Sequence, residues 1–190
     1  MPNPAIPPLA RDLMPPRWRA AAETADDIRG EATLLEVLAQ APEHLAWYYD
    51  TFYAGIFFAG RVERRVKELL RLRLSTLHGC AFCNRGNVRS AREAGLTEAQ
   101  IAAIRRPDAA CFDDRDRAVL RLADEMALQN MAGDLDAGLR AALAQHFEPA
   151  ELVELALVAA VLTGMAKMLF VFDLVSREAE CPIAPPSVTA

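Results

Sequence analysis

The stretch that decides the fold is Val62-Glu-Arg-Arg-Val-Lys-Glu-Leu-Leu-Arg-Leu-Arg-Leu-Ser-Thr-Leu77, in which apolar residues recur at helical spacing. One face of this helix is formed by Val62, Val66, Leu69, Leu70, Leu74 and Leu77. Glu68 falls beside that face. The dipeptide His78-Gly79 then allows a tight break, and a second helix is predicted over 83–94, closed by Gly95. Two consecutive helices joined by a short break indicate an all-α protein.

Composition points to the same fold class. The chain has 190 residues, of which 53% are hydrophobic, enough to bury the core of one domain. Aromatic residues make up only 7%, while Ala, Leu and Arg are abundant, a mixture that favours helices over sheets. We therefore predict a single-domain helical bundle over 31–178. A Pro-rich arm with one or two short helical turns is expected over 1–30, and a Pro-rich tail over 179–190.

Local signals predict further helices inside this domain. Apolar spacing indicates a helix over 32–39, and another begins at Pro42, contains the aromatic run and ends at Gly60. Thr97 and Gln100 have the spacing of a capping box. Aspartates suit the starts of two more helices, over 117–128 and up to 146, and Glu148-Pro149 opens the long final helix.

The final helix is apolar enough to require a membrane test. Residues 155–172 are nearly all apolar, but Lys167 interrupts them, and no positively charged loop orients the segment. A core helix is the better interpretation, and no membrane association is predicted. Because a helix that is apolar on every side must be covered on every side, we expect burial at a subunit interface and hence a homo-oligomer.

Charge and the N-terminal sequence limit the partners and the compartment. The net charge of −5 and a pI near 5.3 argue against nucleic acid, whose binders concentrate positive charge on one face. The proline-broken N-terminus lacks the pattern of a secretory signal, so a cytoplasmic location is expected. In a reducing compartment, a close cysteine pair favours redox catalysis or metal binding over a permanent disulfide.

The candidate chemistry lies in Cys80-Ala-Phe-Cys83 at the start of the second helix. The positive end of a helix dipole stabilises a thiolate, which can attack a peroxide, become a sulfenic acid and be resolved by the neighbouring thiol. A zinc half-site is an alternative, although Cys111, Cys181 and His78 do not supply a second ligand pair. A further alternative is two small buried cysteines without chemistry.

A longer pattern resembles a known superfamily. The run from Glu68 to Cys83, followed by Ala91-Arg-Glu-Ala-Gly95, is similar to the core of the carboxymuconolactone decarboxylase and alkylhydroperoxidase D superfamily, and the likeness extends over roughly 41–173. The resemblance implies a helical fold that assembles into trimers or hexamers. It also implies that Cys83 attacks the peroxide, that Cys80 resolves it, and that Glu68 serves a proton relay. An ordinary solvated glutamate is the alternative for Glu68.

The sequence departs from the family at one position. The family pattern has a histidine four residues after the second cysteine, where this chain has Asn87. Asparagine cannot shuttle a proton near neutral pH as imidazole does. Three compensations are open: Glu68 acts directly or through water, His78 substitutes, or Arg85 lowers the thiol pKa by its charge.

The predicted function is therefore a thiol-dependent peroxidase or disulfide-redox enzyme that reduces hydroperoxides, organic ones in particular. It would need no metal and no organic cofactor, and an unidentified thiol donor would regenerate it. The aromatic run is either core or, in part, an apolar pocket leading to the thiols; it comprises Trp47, Tyr48, Tyr49, Phe52, Tyr53, Phe57 and Phe58. Two other functions compete: a decarboxylase-like acid–base enzyme of the same superfamily, and a redox-responsive oligomeric binding protein without turnover.

Overall fold

A computed structural model describes residues 2–175, and the predicted tail over 179–190 lies outside this range. The prediction of an all-α fold is confirmed, since residues 2–175 contain helices and no strand. The helices are α1 Pro16–Arg29, α2 Thr33–Leu38, α3 Pro42–Ala46, α4 Arg64–Leu77, α5 Ala81–Glu93, α6 Glu98–Ala102, α7 Asp114–Glu125, α8 Ala137–Ala144 and α9 Pro149–Val171. A 3-10 turn, Arg11–Leu13, precedes α1.

The predicted capping signals are present in the structure. Thr97 and Gln100 form the capping box of α6, with each side chain bonded to the other residue's backbone N–H. Glu148 caps α9, and Pro149 is its first residue. The N-terminal ends of α6 and α9 depend on residues that are close in sequence. Their positions therefore agree with those predicted from the sequence.

Helix α4 lies at the centre of the bundle, packed against α5, α7 and α9. Its apolar residues Leu69, Leu70 and Leu72 are fully buried, so α4 is covered on more sides than its predicted single face. Polar side chains of α4 are accordingly paired with neighbouring helices: Arg65 binds Asp116 of α7 through two hydrogen bonds of 2.7 and 2.9 Å.

The segment after α3 differs from the predicted α-helix. Residues Trp47–Phe58 form a π-helix, in which each N–H bonds the carbonyl five residues earlier. The wider turn brings aromatic rings five residues apart into contact, with centroid distances of 5.0 Å for Tyr48 and Tyr53 and 5.8 Å for Tyr53 and Phe58. Crowding of large rings at successive positions is the physical reason for the difference.

The N-terminal segment also differs from expectation. Instead of one or two short turns it contains the 14-residue helix α1, which packs against α5. Trp18, Ala22 and Ala25 recur at helical spacing and form a second core with Leu35 and Leu45. The dipeptide Pro15-Pro16 does not break this helix but precedes and begins it, because proline suits the first helical turn.

Helix α9 is long and apolar enough to cross a membrane by length and composition, with a mean hydropathy of 1.9. Core helices of soluble proteins have the same properties. One face, with Leu155, Val158 and Ala159, is buried in the bundle. Only 33% of its most apolar window is buried, so most of the helix is not covered within a single chain.

A buried ion pair joins α9 to α4. Lys67 is fully buried, and its Nζ donates to Oε1 of Glu154 at 2.9 Å and to the carbonyl of Ile56 at 2.8 Å. The same carboxylate accepts hydrogen bonds from the backbone N–H groups of Arg61 and Val62. Glu154 therefore holds the turn between the π-helix and α4 against α9.

We predict that Glu154→Gln lowers the free energy of unfolding by roughly 3 kcal/mol, because it leaves the Lys67 ammonium buried without a countercharge. Urea denaturation followed by circular dichroism measures this loss. Glu98→Gln is the control, since Glu98 forms an exposed pair with Arg92, and it should leave stability nearly unchanged. Equal stability of both variants would contradict a structural role for the buried pair.

Candidate functional site

The two cysteines lie at the start of α5, as their position after a helix break predicts. Gly79 has a left-handed backbone with φ +68°, which makes the tight turn after α4. Cys80 is the N-cap of α5, and its Sγ accepts a hydrogen bond of 3.2 Å from the N–H of Cys83. A disulfide joins Cys80 and Cys83, whose Cα atoms are 5.2 Å apart. Cys80 is buried and Cys83 is half-buried, so Cys83 is the more exposed of the two cysteines.

Asn87, in place of the family histidine, points at α4. Its Nδ2 donates to Oγ of Ser75 at 3.0 Å, and that hydroxyl lies 2.6 Å from Oδ1 of Asn84. All three side chains are buried. The result is a small hydrogen-bonded cluster one helical turn beyond Cys83, with no group in it that titrates near neutral pH.

Glu68 is fully buried, which excludes the alternative that it is an ordinary solvated glutamate. Its carboxylate is paired with the guanidinium of Arg71, lies 3.4 Å from Nε of Arg64, and accepts a hydrogen bond of 2.6 Å from Oγ of Ser90. Ser90 lies seven residues after Cys83, two turns along the same helix. The carboxylate therefore ties α4 to the helix that carries the cysteines.

Aromatic rings of the π-helix pack against the arginine that is paired with Glu68. The guanidinium of Arg71 lies 5.8 Å from the ring centroid of Tyr53 and 4.6 Å from that of Phe57. Tyr48 donates a hydrogen bond of 3.4 Å to the hydroxyl of Tyr53. Burial raises the pKa of Tyr48 well above its ordinary value, and burial together with Tyr53 raises the pKa of Tyr49 to about 12. Tyr48 and Tyr49 are therefore protonated at neutral pH.

These elements enclose a cavity of about 430 Å³ that contains the disulfide in its wall. The aromatic run divides between the two expected roles. Phe52 and Phe57 are fully buried core, and Trp47 is exposed. The remaining members, Tyr48, Tyr49, Tyr53 and Phe58, line the cavity with both cysteines. Helix α9 closes another side with apolar residues, and the end of α1 supplies Arg29.

His78 and Arg85 have contacts that limit the compensating roles considered for them. Nε2 of His78 accepts a hydrogen bond of 3.1 Å from the N–H of Leu128, and burial lowers the pKa of His78 to about 4. The imidazole lines the cavity in its neutral form, with its basic nitrogen already occupied. Arg85 is exposed, and it donates to the backbone carbonyl of Arg29 at 2.7 Å instead of lining the cavity.

Several residues of the candidate site were missed in the sequence. Arg71 and Ser75 lie three and seven residues after Glu68, and Ser90 lies seven after Cys83, so helical spacing places each group on one face. That spacing was a usable signal once both helices were predicted. Arg29 had no comparable signal, because it lies in the segment to which no chemistry was assigned.

No group of three or more His, Cys, Asp or Glu side chains within residues 2–175 is arranged to hold a metal ion. The zinc half-site considered for Cys80 and Cys83 thus has no further protein ligand in this part of the chain. The arrangement that remains is a disulfide-bonded cysteine pair at a helix start, beside an aromatic-lined cavity.

Residues 2–175 thus form an all-helical protein with a close cysteine pair at the wall of a cavity, and known proteins share parts of this description. The sequence model of the carboxymuconolactone decarboxylase family matches residues 43–125, the segment that contains α4, α5 and both cysteines. A comparison with curated protein sequences finds no significant match.

Solved structures share the fold. The debrominase Bmp8 superposes with a TM-score of 0.72 at 18% identity, covering 93% of this chain and 94% of that one. A variant of Bmp8 in complex with 2,3,4-tribromopyrrole has the same TM-score at 17% identity and covers 93% of both chains. A protein from Agrobacterium tumefaciens, described as a putative antioxidant defence protein AhpD, has a TM-score of 0.64 at 22% identity, covering 75% of this chain and 96% of that one.

The family match confirms the resemblance to the carboxymuconolactone decarboxylase family over 43–125, and a solved structure described as AhpD has the same fold. The sequence pattern of the family accounts for residues 43–125. The structural likeness extends the common fold to the helices on either side of that segment.

We predict that His78 makes stability depend on pH. The pKa of His78 is lowered from 6.5 to about 4, so between these values the unfolded chain binds a proton that the folded chain excludes. This contribution to stability is complete above pH 6.5 and is lost as the pH falls towards 4. In His78→Gln, an amide oxygen can accept the Leu128 N–H without titrating. The loss over this pH range should therefore be smaller by about 2 kcal/mol, allowing for partial exposure.

The measurement is urea denaturation of both proteins at several pH values across this range. Carboxylates titrate equally in the two proteins, so their difference isolates His78. Parallel stability curves would show that burial of the imidazole does not oppose its protonation.

Proposed function

We propose that this protein is a thiol-dependent peroxidase that reduces organic hydroperoxides through Cys80 and Cys83. The observation that carries the proposal is the cysteine pair in the wall of an aromatic-lined cavity of about 430 Å³, with Cys83 the more exposed of the two cysteines. A cavity of this size and lining fits a compact organic molecule better than it fits hydrogen peroxide. The family match and the structural likeness to an AhpD protein support the same class of chemistry.

The proposed reaction begins from the reduced pair. The Cys83 thiolate attacks the distal oxygen of the hydroperoxide, the O–O bond breaks, and Cys83 becomes a sulfenic acid as the alkoxide leaves and takes a proton. The Cys80 thiolate then attacks Cys83 Sγ, forming the disulfide and releasing hydroxide, which leaves as water. An external dithiol returns both cysteines to the reduced state by thiol–disulfide exchange.

The helix start and the cavity wall supply the groups for these steps. The free amides of the first turn of α5 and its positive dipole end favour the thiolate of Cys83. An alkoxide is a stronger base than a phenolate, so the protonated phenol of Tyr49 in the cavity wall can donate to it. Glu68 contacts none of the reacting atoms and acts as a positioning residue, through Ser90 and Arg71.

A second candidate reaction is reductive removal of a halogen from an aromatic ring. It is favoured by the tyrosine lining of the cavity, together with the structural likeness to the debrominase Bmp8 over nearly the whole of both chains. The thiolate of Cys83 would take the halogen as a cation while the ring carbon gains a proton. Cys80 would then displace halide ion and form the disulfide. The electron balance is the same, with two thiols oxidised and one substrate bond reduced.

The other competing functions receive less support from the geometry. A decarboxylase-like acid–base reaction needs a free base, but Nε2 of His78 is occupied and Glu68 is held by two arginines. A redox-responsive binding protein without turnover would form the same disulfide but would not consume substrate catalytically. Measured turnover with an added dithiol separates it from the peroxidase.

We further propose that the chain forms a homo-oligomer, a trimer or hexamer, in the cytoplasm. The exposed apolar residues of α9 and its end support this proposal, because water-exposed side chains of this size favour burial against another chain. They include Val153, Leu157, Val171 and Phe172. The reductant is expected to be a protein or small-molecule dithiol, and neither nucleic acid nor a membrane is proposed as a partner.

We predict that one equivalent of cumene hydroperoxide removes two thiols from the reduced protein, with an apparent pKa below the free-cysteine value of about 8.5. Cys83→Ser should abolish the fast loss. Cys80→Ser should stop at a Cys83 sulfenic acid, detected by dimedone labelling and mass spectrometry. Cys111→Ser is the matched control, since Cys111 is a half-buried free cysteine that does not line the cavity, and it should keep the fast phase.

Thiol loss in wild type as slow as in an unactivated cysteine, or fast loss that survives Cys83→Ser, would contradict the proposed peroxidase. The same reduced protein incubated with a brominated pyrrole tests the second candidate. Bromide release matched to thiol loss would favour dehalogenation over peroxide reduction.

We predict that Asn87→His accelerates the oxidation of Cys83 by roughly 10-fold or more, because it restores an imidazole able to move a proton near neutral pH. Stopped-flow measurement of thiol loss over a pH series provides the rate, and the gain should follow a group with a pKa near 6.5. Asn87→Ala is the control, since it removes the bond to Ser75 without adding a base. If both variants react at the same rate, the missing histidine does not limit the reaction.

A further inference from the structure

Arg29, the last residue of α1, lies against the cysteine-bearing turn of α5. Its Nη1 donates to the carbonyl of Phe82 at 3.3 Å, and its guanidinium lies 5.0 Å from the ring centroid of Phe82. The same group rests on the backbone of Gly86, where an added Cβ would overlap it. Phe82 and Gly86 lie on either side of Cys83 in sequence, so this cation lies against the helical turn that carries Cys83, and both residues line the cavity.

Within the part of the chain that the structure describes, Arg29 is the arginine of the cavity wall that no carboxylate neutralises. Three arginines and one glutamate line the cavity. Arg71 is paired with the buried Glu68, and Arg89 bonds Glu93 at 3.1 Å. Among residues 2–175, Arg29 has no ion pair, and Phe82 accepts from one of its five guanidinium N–H groups. In a chain of net charge −5, this half-buried cation is an unusual feature of the wall.

We propose that Arg29 is an anion-binding subsite of this cavity, and that the substrate is an aromatic molecule bearing a carboxylate or comparable anionic group. This inference rests on the proposed function, because it names the class of substrate that the cysteine pair reduces. The guanidinium fork matches a carboxylate with two parallel hydrogen bonds. The rings of Tyr48, Tyr49 and Phe58 in the same wall provide apolar contact for the aromatic part.

Tyr49 supports the position of the cation inside the cavity. Burial is the main cause that raises the pKa of Tyr49, and the positive charge of Arg29 opposes this rise. The phenol and the guanidinium are thus close enough to interact, and both line the cavity. An anionic group bound by Arg29 would have a protonated phenol as a second hydrogen-bond donor.

Gly86 provides a variant that moves the cation without removing it. A methyl group at position 86 would collide with the guanidinium, which is the far end of a flexible side chain and can swing away. Alanine also suits a helix better than glycine does, so Gly86→Ala should remain folded. Arg29→Gln removes the charge, and Arg29→Lys keeps it without the fork.

The experiment compares two hydroperoxides on the reduced protein, cumene hydroperoxide and its para-carboxylate. The wild type should react with the carboxylate roughly 10-fold faster than with the neutral compound, as one charge-assisted contact provides. Arg29→Gln and Gly86→Ala should bring the ratio of the two rate constants close to one, and Arg29→Lys should restore part of it. Arg92→Gln, which removes an exposed arginine of α5 outside the cavity wall, should leave the ratio unchanged.

A ratio that survives Arg29→Gln overturns the subsite. Equal slowing of both hydroperoxides overturns it as well, since Arg29 would then act on the thiolate and not on the substrate. Para-isopropylbenzoate and para-isopropylbenzamide lack a hydroperoxide group and cannot oxidise the thiols. Their binding to the oxidised protein, measured by calorimetry, tests the anion subsite independently of the peroxidase reaction. If the benzoate binds and its binding requires Arg29, the subsite is supported even when neither hydroperoxide reacts. If both hydroperoxides react at equal rates, the subsite is overturned while the peroxidase reaction stands.

Discussion

The buried carboxylate of Glu68 is the constraint on which the site depends. A charge removed from water must be neutralised where it lies, and here Arg71, Arg64 and Ser90 meet that requirement from two helices. The relative position of α4 and α5 is thereby fixed, and with it the distance from the cysteine turn to the opposite wall. Arg71 transmits the same constraint to the π-helix through the rings above it. The aromatic rings of the cavity wall therefore pack on an ion pair whose arginine lines the cavity and whose carboxylate lies behind it.

Features decided by neighbouring residues were predictable from the sequence. The apolar spacing of α4, the turn at Gly79, the cysteines at the start of α5, the capping box of α6 and the start of α9 all depend on residues within one or two helical turns. Such signals can be recognised in a short stretch of sequence, because helical hydrogen bonds and caps connect residues that are close in the chain. The all-α fold and the identity of the cysteine pair follow from these signals together.

Features decided by distant residues were not predictable in the same way. The cation beside the cysteines comes from α1, more than fifty residues earlier, and only the packing of α1 on α5 brings it there. The occupied nitrogen of His78 depends on Leu128, fifty residues later. The π-helix depends on several aromatic rings packing together, which the sequence spacing of any one pair of rings does not predict. Tertiary contacts determine each of these three features, and a local sequence pattern does not predict such contacts.

The cap formed by Cys80 links the stability of a helix to the oxidation state of a bond. Its sulfur accepts the N–H of Cys83 while it is part of the disulfide, and a thiolate in the same place is a far better acceptor. Helix α5 therefore gains more from the reduced pair than from the oxidised one. In the proposed redox cycle, thermodynamic linkage then makes the disulfide the stronger oxidant, because the helix end favours the dithiol. The first turn of α5 would thus contribute to the reduction potential of the cysteine pair as well as to the architecture of the protein.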